Sequence, residues 1–231
     1  MTNRPEIPGA LADKASVGYV EKLEQAVEGC LKAMAKINEA HAPFAIGHEL
    51  QVAELAAAIG KEMGLPNEVI RGIRAAGSIH DIGYVTVPAE ILNKLGKLTP
   101  YEMVSVRNHV QAGFEIVRDI EFPWPVAKII LQHHERMDGS GYPHAITGDG
   151  IILEARIIAV ADVVDAIASR RPYRPALGIQ SACDEIAQGS GILYDPDVVK
   201  ACLKLFKEKA YGHVYASSGI SPTQHSTGTN T

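Results

Sequence analysis

The chain has 231 residues, enough for one sizeable domain with appendages. Its 22 Lys and Arg against 27 Asp and Glu give a formal charge of −5. This argues against a general nucleic-acid binder, because such proteins need a basic face to displace counterions. Hydrophobic residues make up 46% and charged residues 21%, the composition of a packed protein rather than a disordered one.

The cysteines and the apolar runs indicate the cellular compartment of the protein. Cys30, Cys183 and Cys202 are far apart and form no CxxC pair, which argues against a disulfide framework and a thiolate metal site. Residues 1–14 lack the apolar core of a secretory signal. Apolar runs are interrupted by charges well short of the ~18 residues that a membrane span needs. We therefore expect a cytoplasmic protein that does not enter a membrane.

Helical periodicity dominates the first part of the chain. Between residues 15 and 40, apolar side chains recur at three- and four-residue steps, which traces one stripe along a helix. The same spacing runs from His48 to Met63, and Gly64 predicts the end of that helix. Pro66 suits the first position of the next helix, which is predicted to end near His80.

The clearest helix start lies at Thr99. Thr99 and Glu102 match a capping box, and Pro100 fits the first turn. The apolar spacing that follows predicts one helix reaching Val117.

The second half of the chain also predicts helices. A break at residues 122–125 is followed by a short helix that runs towards His133 and His134. The turn-forming residues 138–143 predict a loop. Further helices are predicted at residues 151–169, 180–188 and 196–207.

No segment alternates with period two over a convincing length, so the predicted fold class is all-α. The predicted organisation is a helical appendage at residues 1–40, a domain at residues 41–211 and a disordered tail at residues 212–231. The tail is assigned because it contains no Lys, Arg, Asp or Glu.

Histidines and carboxylates on separate helices or helix ends form the candidate site. They are His48, His80, Asp81, His109, His133, His134 and Asp162. Helices of a compact bundle can bring such positions to one centre. Imidazole and carboxylate ligands without a thiolate suit Fe, Mn or Zn better than a structural zinc site. Asp165, three residues after Asp162, shares its helix face and is a rival ligand.

The adjacent pair His80 and Asp81 has a particular use in such a site. At a helix end, His80 can bind one ion while the two oxygens of Asp81 bridge to a second ion. Two divalent ions offset by Asp81 and Asp162 leave a charge of about +2, which attracts a phosphodiester to an otherwise acidic protein. Such a pair also provides hydroxide near neutral pH.

Simpler interpretations stay open for single members of this set. A histidine on an apolar stripe, such as His48, is usually a satisfied core residue. His133 and His134 together suit a helix C-terminus, where the dipole favours cations. Asp162 differs, because a carboxylate on an apolar helix is costly to bury unless it is paired or metal-bound. The set as a whole favours a metal site.

Four segments carry a family pattern: HDIG at 80–83, HHERMDGSGYP at 133–143, ARIIAVADVVDAIASRRPYRPAL at 155–177 and LYDPDVV at 193–199. Over residues 42–206 the chain thereby resembles the HD-GYP branch of the HD phosphohydrolase superfamily. The resemblance implies a helical bundle of the HD-domain type with a central metal site of two or three ions, often iron or manganese. It also implies a bacterial signalling phosphodiesterase that opens cyclic di-GMP to linear pGpG and in some members continues to GMP.

The resemblance also assigns residues to roles. One ion would be bound by His48, His80, Asp81 and Asp162. A second ion would share Asp81 and add His109, His133 and His134. His80 and Asp81 would form the catalytic pair, and the positions expected to hold substrate are Tyr142, Arg171 and Arg174. Without the metal motif, Arg170, Arg171 and Arg174 would be interpreted as a solvated surface cluster.

The chain departs from the family pattern at three positions. Tyr84 stands where the family reads lysine after HDIG, and that lysine is expected to contact substrate phosphate. Phe44 stands where members with three ions have a glutamate, so we expect two ions here. Gln51 replaces the arginine that is common three residues after the first histidine.

The sequence therefore predicts a phosphodiesterase with two divalent ions, iron or manganese, that acts on cyclic di-GMP or a related cyclic dinucleotide. The main alternative is a cyclic di-GMP receptor or signalling adaptor that keeps the metals but turns over poorly, which Tyr84 favours. A third hypothesis is hydrolysis of another phosphodiester or nucleotide at the same centre. Nucleic-acid polymers and membranes are not expected partners, whereas a homodimer or a sensory protein is compatible with the appendage.

Overall fold

The computed structural model describes residues 9–42, 46–169, 176–208 and 211. Among these residues the protein has no β-strand and only isolated bridges, which confirms the predicted all-α fold class. None of the described helices combines the length and apolar character that crossing a membrane requires. The α-helices are α1 (Gly9–His41), α2 (His48–Glu62), α3 (Asn67–Gly77), α4 (Ala89–Leu92), α5 (Pro100–Arg107), α6 (His109–Val117), α7 (Val126–Gln132), α8 (Leu153–Ala168), α9 (Ile179–Gln188) and α10 (Pro196–Glu208).

Helix α8 lies at the centre of the bundle and packs against α2, α3, α7, α9 and α10. Its apolar residues Ile157, Ile158 and Val164 are completely buried in the main core. Each such side chain stabilises the fold by roughly 1.5–3 kcal/mol relative to an exposed one. This packing fixes Asp162, which lies between them on the same helix, in the middle of the molecule.

Local helix signals in the sequence are confirmed where they depend on neighbouring residues. Thr99 Oγ1 accepts a hydrogen bond from the Glu102 amide at 3.3 Å, and Glu102 Oε2 accepts one from the Thr99 amide at 2.6 Å. This is the predicted capping box, with Pro100 in the first turn. Helix α2 ends at Glu62, and Gly64 follows in the left-handed conformation with φ of +75°.

Three predicted boundaries are wrong. Helix α3 ends at Gly77 rather than near His80, and Pro66 is its N-cap rather than its first residue. The single helix predicted from Pro100 to Val117 is divided at Asn108 into α5 and α6. The end of α3 and the break at Asn108 lie next to histidines of the candidate site, where the chain leaves regular helix geometry.

Helix α1 begins at Gly9, earlier than predicted, and Glu24 in its middle pairs with Arg71 of α3 at 2.8 Å. Leu31 is buried in the core, and His41 Nε2 donates a hydrogen bond to the Val87 carbonyl at 2.7 Å. Residues 19–30 of the same helix are exposed. A separate unit at residues 1–40 remains a prediction, and the predicted tail at residues 212–231 lies outside the described residues.

Candidate metal centre

Imidazoles and carboxylates from separate elements converge between α2, α3, α6, α7 and α8. In each of two groups, the ligand atoms all lie within 4.8 Å of one another. One group is His48, His80 and Asp162, and the other is Asp81, His109, His133 and His134. All seven metal-ligand candidates predicted from the sequence are therefore brought together.

The two oxygens of Asp81 face different groups. Its Oδ1 lies 3.0 Å from His109 Nε2 and 3.6 Å from His133 Nε2. Its Oδ2 lies 3.5 Å from His80 Nε2 and 3.8 Å from His48 Nε2. One buried carboxylate thus lies between two sets of imidazoles.

The orientation of three imidazoles is set by the backbone. The Nδ1 atoms of His80, His109 and His133 each donate to a backbone carbonyl three residues earlier, at 2.8, 2.7 and 2.6 Å. A neutral imidazole that carries its proton on Nδ1 presents a lone pair at Nε2. Each of these rings therefore directs an acceptor atom towards the carboxylates, as metal-binding histidines do.

Buried atoms at the centre have acceptor capacity that the protein does not use. The Nε2 atoms of His80, His109 and His133 and Oδ1 of Asp81 are buried and make no hydrogen bond. A divalent cation placed between these imidazole nitrogens and the carboxylate oxygens would be bound by both. The donor set of nitrogen and oxygen atoms fits Fe, Mn or Zn.

Both buried aspartates are held in the ionised form. Burial by itself raises the pKa of Asp81, but His80, His109 and His133 more than offset this and keep it well below its usual range. Burial likewise raises the pKa of Asp162. Its hydrogen bond to His48 and the surrounding histidines more than offset this and lower the pKa below its usual value. Carboxylates that stay ionised are ready to bind a cation at neutral pH.

The adjacent histidines of the second group are held neutral. Burial lowers the pKa of His133, and burial together with the neighbouring His133 and His109 lowers the pKa of His134 well below its usual value. A neutral imidazole is the form that binds a metal ion, so these two ligands need no proton release at neutral pH.

Asp165, the rival ligand of the sequence analysis, has a different position. Its Oδ2 lies 2.5 Å from His48 Nδ1, on the side of the ring that faces away from Asp162, while its Oδ1 accepts from Ser169 Oγ at 3.1 Å. His48 Nε2 lies 3.2 Å from Asp162 Oδ1. Asp165 therefore orients His48, and it is absent from both groups of ligand atoms.

We expect Asp165→Ala to weaken metal binding about 10- to 100-fold while leaving every ligand in place, because His48 loses its orienting carboxylate. Metal titration of the purified variant measures this. Asp165→Asn keeps an oxygen acceptor, so its metal affinity should lie between those of wild type and Asp165→Ala. Wild-type affinity in Asp165→Ala would show that the His48 ring is held by other contacts.

Glu49 is a buried carboxylate that no sequence pattern singled out. It is completely buried beside His48, and its Oε1 accepts a hydrogen bond from Asn38 Nδ2 of α1 at 2.6 Å. Its Oε2 lies 3.5 Å from His80 Nδ1 and makes no hydrogen bond. Burial raises the pKa of Glu49 from 4.5 to about 7, against the opposing effect of His80.

This shift predicts the pH dependence of the metal-free protein. Between pH 4.5 and about 7 the folded carboxyl of Glu49 keeps a proton that the unfolded chain has lost, so its contribution to stability falls as pH rises. Glu49→Gln cannot titrate. Urea unfolding in chelator should show the variant gaining up to roughly 3 kcal/mol on wild type between pH 4.5 and 8. Parallel stability curves for the two proteins would contradict the raised pKa.

The motif from His133 to Pro143 forms a loop that packs against the candidate metal centre. The buried carboxylate of Glu135 accepts hydrogen bonds from the amides of His144 at 2.8 Å and Ile146 at 3.0 Å. At Gly141 a Cβ atom would lie 2.4 Å from the His134 carbonyl oxygen, so only glycine fits. These two residues place Tyr142 against the histidines.

Two tyrosines flank the second group. The ring of Tyr142 stacks on His134 with centroids 4.8 Å apart, and the ring of Tyr84 stacks on His109 at 4.2 Å. Tyr84, which replaces the family lysine, thus covers a predicted metal ligand. Arg171 and Arg174, the other predicted substrate residues, lie outside the described residues, as does Phe44.

Comparison with known proteins identifies the family. The family model described as "HD domain" matches residues 32–198, so the chain belongs to the HD-domain family. The chain is 40% identical over 156 residues (67% of this chain, 41% of the relative) to the cyclic di-GMP phosphodiesterase response regulator RpfG of Xanthomonas campestris pv. campestris. It is 36% identical over 220 residues (94% and 59%) to a cyclic di-GMP phosphodiesterase of Thermotoga maritima. The predicted resemblance to the HD-GYP branch is confirmed.

The fold has solved counterparts. Bd1817, an HDG"Y"P protein from Bdellovibrio bacteriovorus, superposes with a TM-score of 0.60 at 17% identity, covering 79% of this chain and 64% of that one. This similarity supports the HD-domain bundle. The chain spans only about two fifths to three fifths of the length of the two curated relatives.

Proposed function

We propose that the protein is a metal-dependent phosphodiesterase that hydrolyses cyclic di-GMP to linear pGpG, to GMP or to both. The centre would hold two divalent ions, iron or manganese. His48, His80 and Asp162 would bind one ion, His109, His133 and His134 the other, and Asp81 would be shared. The two relatives named as cyclic di-GMP phosphodiesterases support this substrate.

The position of Asp81 is the observation that carries the proposal. A single carboxylate that directs one oxygen to each of two imidazole groups is the arrangement that a bridged pair of ions needs. Divalent ions bound there would supply positive charge for the phosphodiester and activate water for attack on phosphorus. Without them the chain, at −5, would repel a dianionic dinucleotide.

The chain's own residues would position the substrate. Tyr142 and Tyr84 form aromatic walls on the side of His134 and His109, and a nucleotide base can pack edge-to-face against such a ring. Arg171 and Arg174 would hold a phosphate that is not being hydrolysed, because a guanidinium matches phosphate oxygens with two parallel hydrogen bonds.

The test is turnover by the whole chain after chelation and reloading with Mn²⁺, or with Fe²⁺ under anaerobic conditions. We expect about two ions per chain by elemental analysis and conversion of cyclic di-GMP to pGpG or GMP by chromatography, lost again in chelator. Cyclic GMP-AMP and cyclic di-AMP in the same assay would define the base preference.

The receptor alternative gives a different result in that assay. Tyr84 supports it, because a neutral ring occupies the position of a phosphate-binding lysine. Metal-loaded protein that binds cyclic di-GMP but does not hydrolyse it would identify a receptor. Protein that neither binds nor hydrolyses any cyclic dinucleotide would refute both functions.

A protein partner for α1 is a separate proposal. Val20, Leu23 and Val27 recur at three- and four-residue steps and are 52, 54 and 42% exposed. This stripe supports contact with a second copy or with a sensory protein, and sedimentation velocity of wild type and Leu23→Glu would test the homodimer. The cytoplasmic location predicted from the sequence remains a prediction.

A further inference from the structure

Arg107 is an exposed arginine at the end of α5, directly before the break that precedes His109. Its guanidinium carbon lies 5.2 Å from the centre of the Tyr142 ring. Within the described part of the chain, the Arg107 guanidinium makes no hydrogen bond and no ion pair. Its charge and its donors are therefore available to a ligand.

Arg136, an arginine of the same loop as Tyr142, is already engaged. Arg136 Nη1 donates to the carbonyls of His133 at 3.2 Å and Glu135 at 2.9 Å, and its guanidinium lies over the ring of Tyr194. Arg136 thus supports the loop. Arg107 contacts the Tyr142 ring and makes no hydrogen bond within the described residues, so its donors can bind a ligand.

The stack from Arg107 to the metal ligands is continuous. Tyr142 contacts both Arg107 and His134, with its ring centre 5.2 Å from the Arg107 guanidinium carbon and 4.8 Å from the His134 ring, which is inclined to it by 30°. The guanidinium is therefore one aromatic ring away from a predicted metal ligand. A guanidinium that stacks on an aromatic face keeps its in-plane N–H donors, so it can lie on Tyr142 and bind an anion at the same time.

We propose that Arg107, held against the Tyr142 ring, binds the phosphate of a cyclic dinucleotide that is not being hydrolysed. This inference rests on the proposed function. A cyclic dinucleotide carries two phosphates, and only one can occupy the metal centre during hydrolysis. The second phosphate then needs cationic partners near the ions, and Arg107 adds a fork of donors to those proposed for Arg171 and Arg174.

The experiment compares Arg107→Ala and Arg107→Lys with wild type on two substrates. Cyclic di-GMP has the second phosphate, whereas bis(p-nitrophenyl) phosphate has a single one. We expect Arg107→Ala to raise KM and Kd for cyclic di-GMP about 10- to 100-fold, the effect of losing a charge-assisted hydrogen bond. Arg107→Lys should lose less, and turnover of bis(p-nitrophenyl) phosphate should stay within about twofold for both variants.

The matched control is Arg118→Ala. Arg118 is a half-exposed arginine after α6 that pairs with Glu115 at 2.8 Å, and its removal should leave both substrates unaffected. Elemental analysis should show unchanged metal content in all variants.

An unchanged KM and Kd for cyclic di-GMP in Arg107→Ala would overturn the inference while leaving the proposed function intact. Equal losses on both substrates would also overturn it, because the effect would then lie in the metal centre. If wild type binds cyclic di-GMP without hydrolysing it, a 10- to 100-fold weaker Kd in Arg107→Ala still supports the inference. A wild type that neither binds nor hydrolyses the dinucleotide refutes the proposed function itself, and the inference with it.

Discussion

Asp81→Ala is expected to lower the metal content of the purified protein by at least one ion per chain and to abolish turnover. Each group of imidazoles loses the Asp81 oxygen that faces it, and no neighbouring carboxylate can replace both oxygens. Even residues that only orient a ligand cost about 10- to 100-fold in metal affinity, so loss of a shared ligand should cost at least about 100-fold. Elemental analysis and cyclic di-GMP turnover measure the two effects.

Asp119→Ala is the matched control, because Asp119 is an exposed carboxylate outside the centre whose side chain is 92% exposed. Asp162→Ala is the informative comparison, since it removes a carboxylate from the His48 and His80 group while leaving the other group complete. We expect Asp162→Ala to retain more metal than Asp81→Ala. Full metal content in Asp81→Ala, with circular dichroism confirming the fold, would contradict its shared position.

The sequence predicts well the features that depend on residues close in the chain. The capping box at Thr99 needs only the spacing to Glu102, and its hydrogen bonds form as expected. The apolar helix around Asp162 lies within two residues of its predicted bounds, because its buried face repeats at helical spacing. The ligand residues are predicted from residue types and motifs, which give the identity of a residue but not its position in space.

The helical spacing of residues does not predict which atoms their side chains reach. Periodicity places Asp165 beside Asp162 on one face of α8, but only the packed bundle shows that Asp165 reaches Nδ1 of His48 while Asp162 faces Nε2. No sequence pattern singles out Glu49, because a glutamate in the first turn of a helix is usually solvated. No sequence pattern singles out Arg107 either, because its contact, Tyr142, lies 35 positions away in the chain.

The wrong helix ends share a physical cause. In a regular helix, successive residues are about 100° apart, so His80 and Asp81 could not both face one centre. Ending α3 at Gly77 places them in irregular turns, where Asp81 has φ of −98° and ψ of 11°. These turns are stabilised by contacts between distant segments, which local propensity does not include.

Gly83→Ala is expected to show how tightly those turns are packed. A Cβ atom at residue 83 would lie 1.9 Å from the backbone oxygen of His109 and 2.6 Å from the amide nitrogen of Gly113. Both obstacles are backbone atoms of α6, so no side-chain rotation relieves the clash. The 3-10 helix Ile82–Thr86 and α6 must separate, which should destabilise the fold by about 3 kcal/mol or more, at the upper end of overpacking effects.

The separation also moves Asp81 away from His109, so metal content should fall together with the midpoint of urea unfolding. Gly60→Ala is the matched control, because in α2 the new Cβ atom would meet only side-chain atoms, those of Ile73, Ile70 and Leu65, at 3.4 to 3.6 Å. Alanine is favoured over glycine within a helix, and this control should be neutral or more stable by about 0.5–1 kcal/mol. If Gly83→Ala unfolds at the wild-type midpoint and keeps its metal, α6 must be able to shift without disturbing His109, and the close contact at Gly83 would not position the centre.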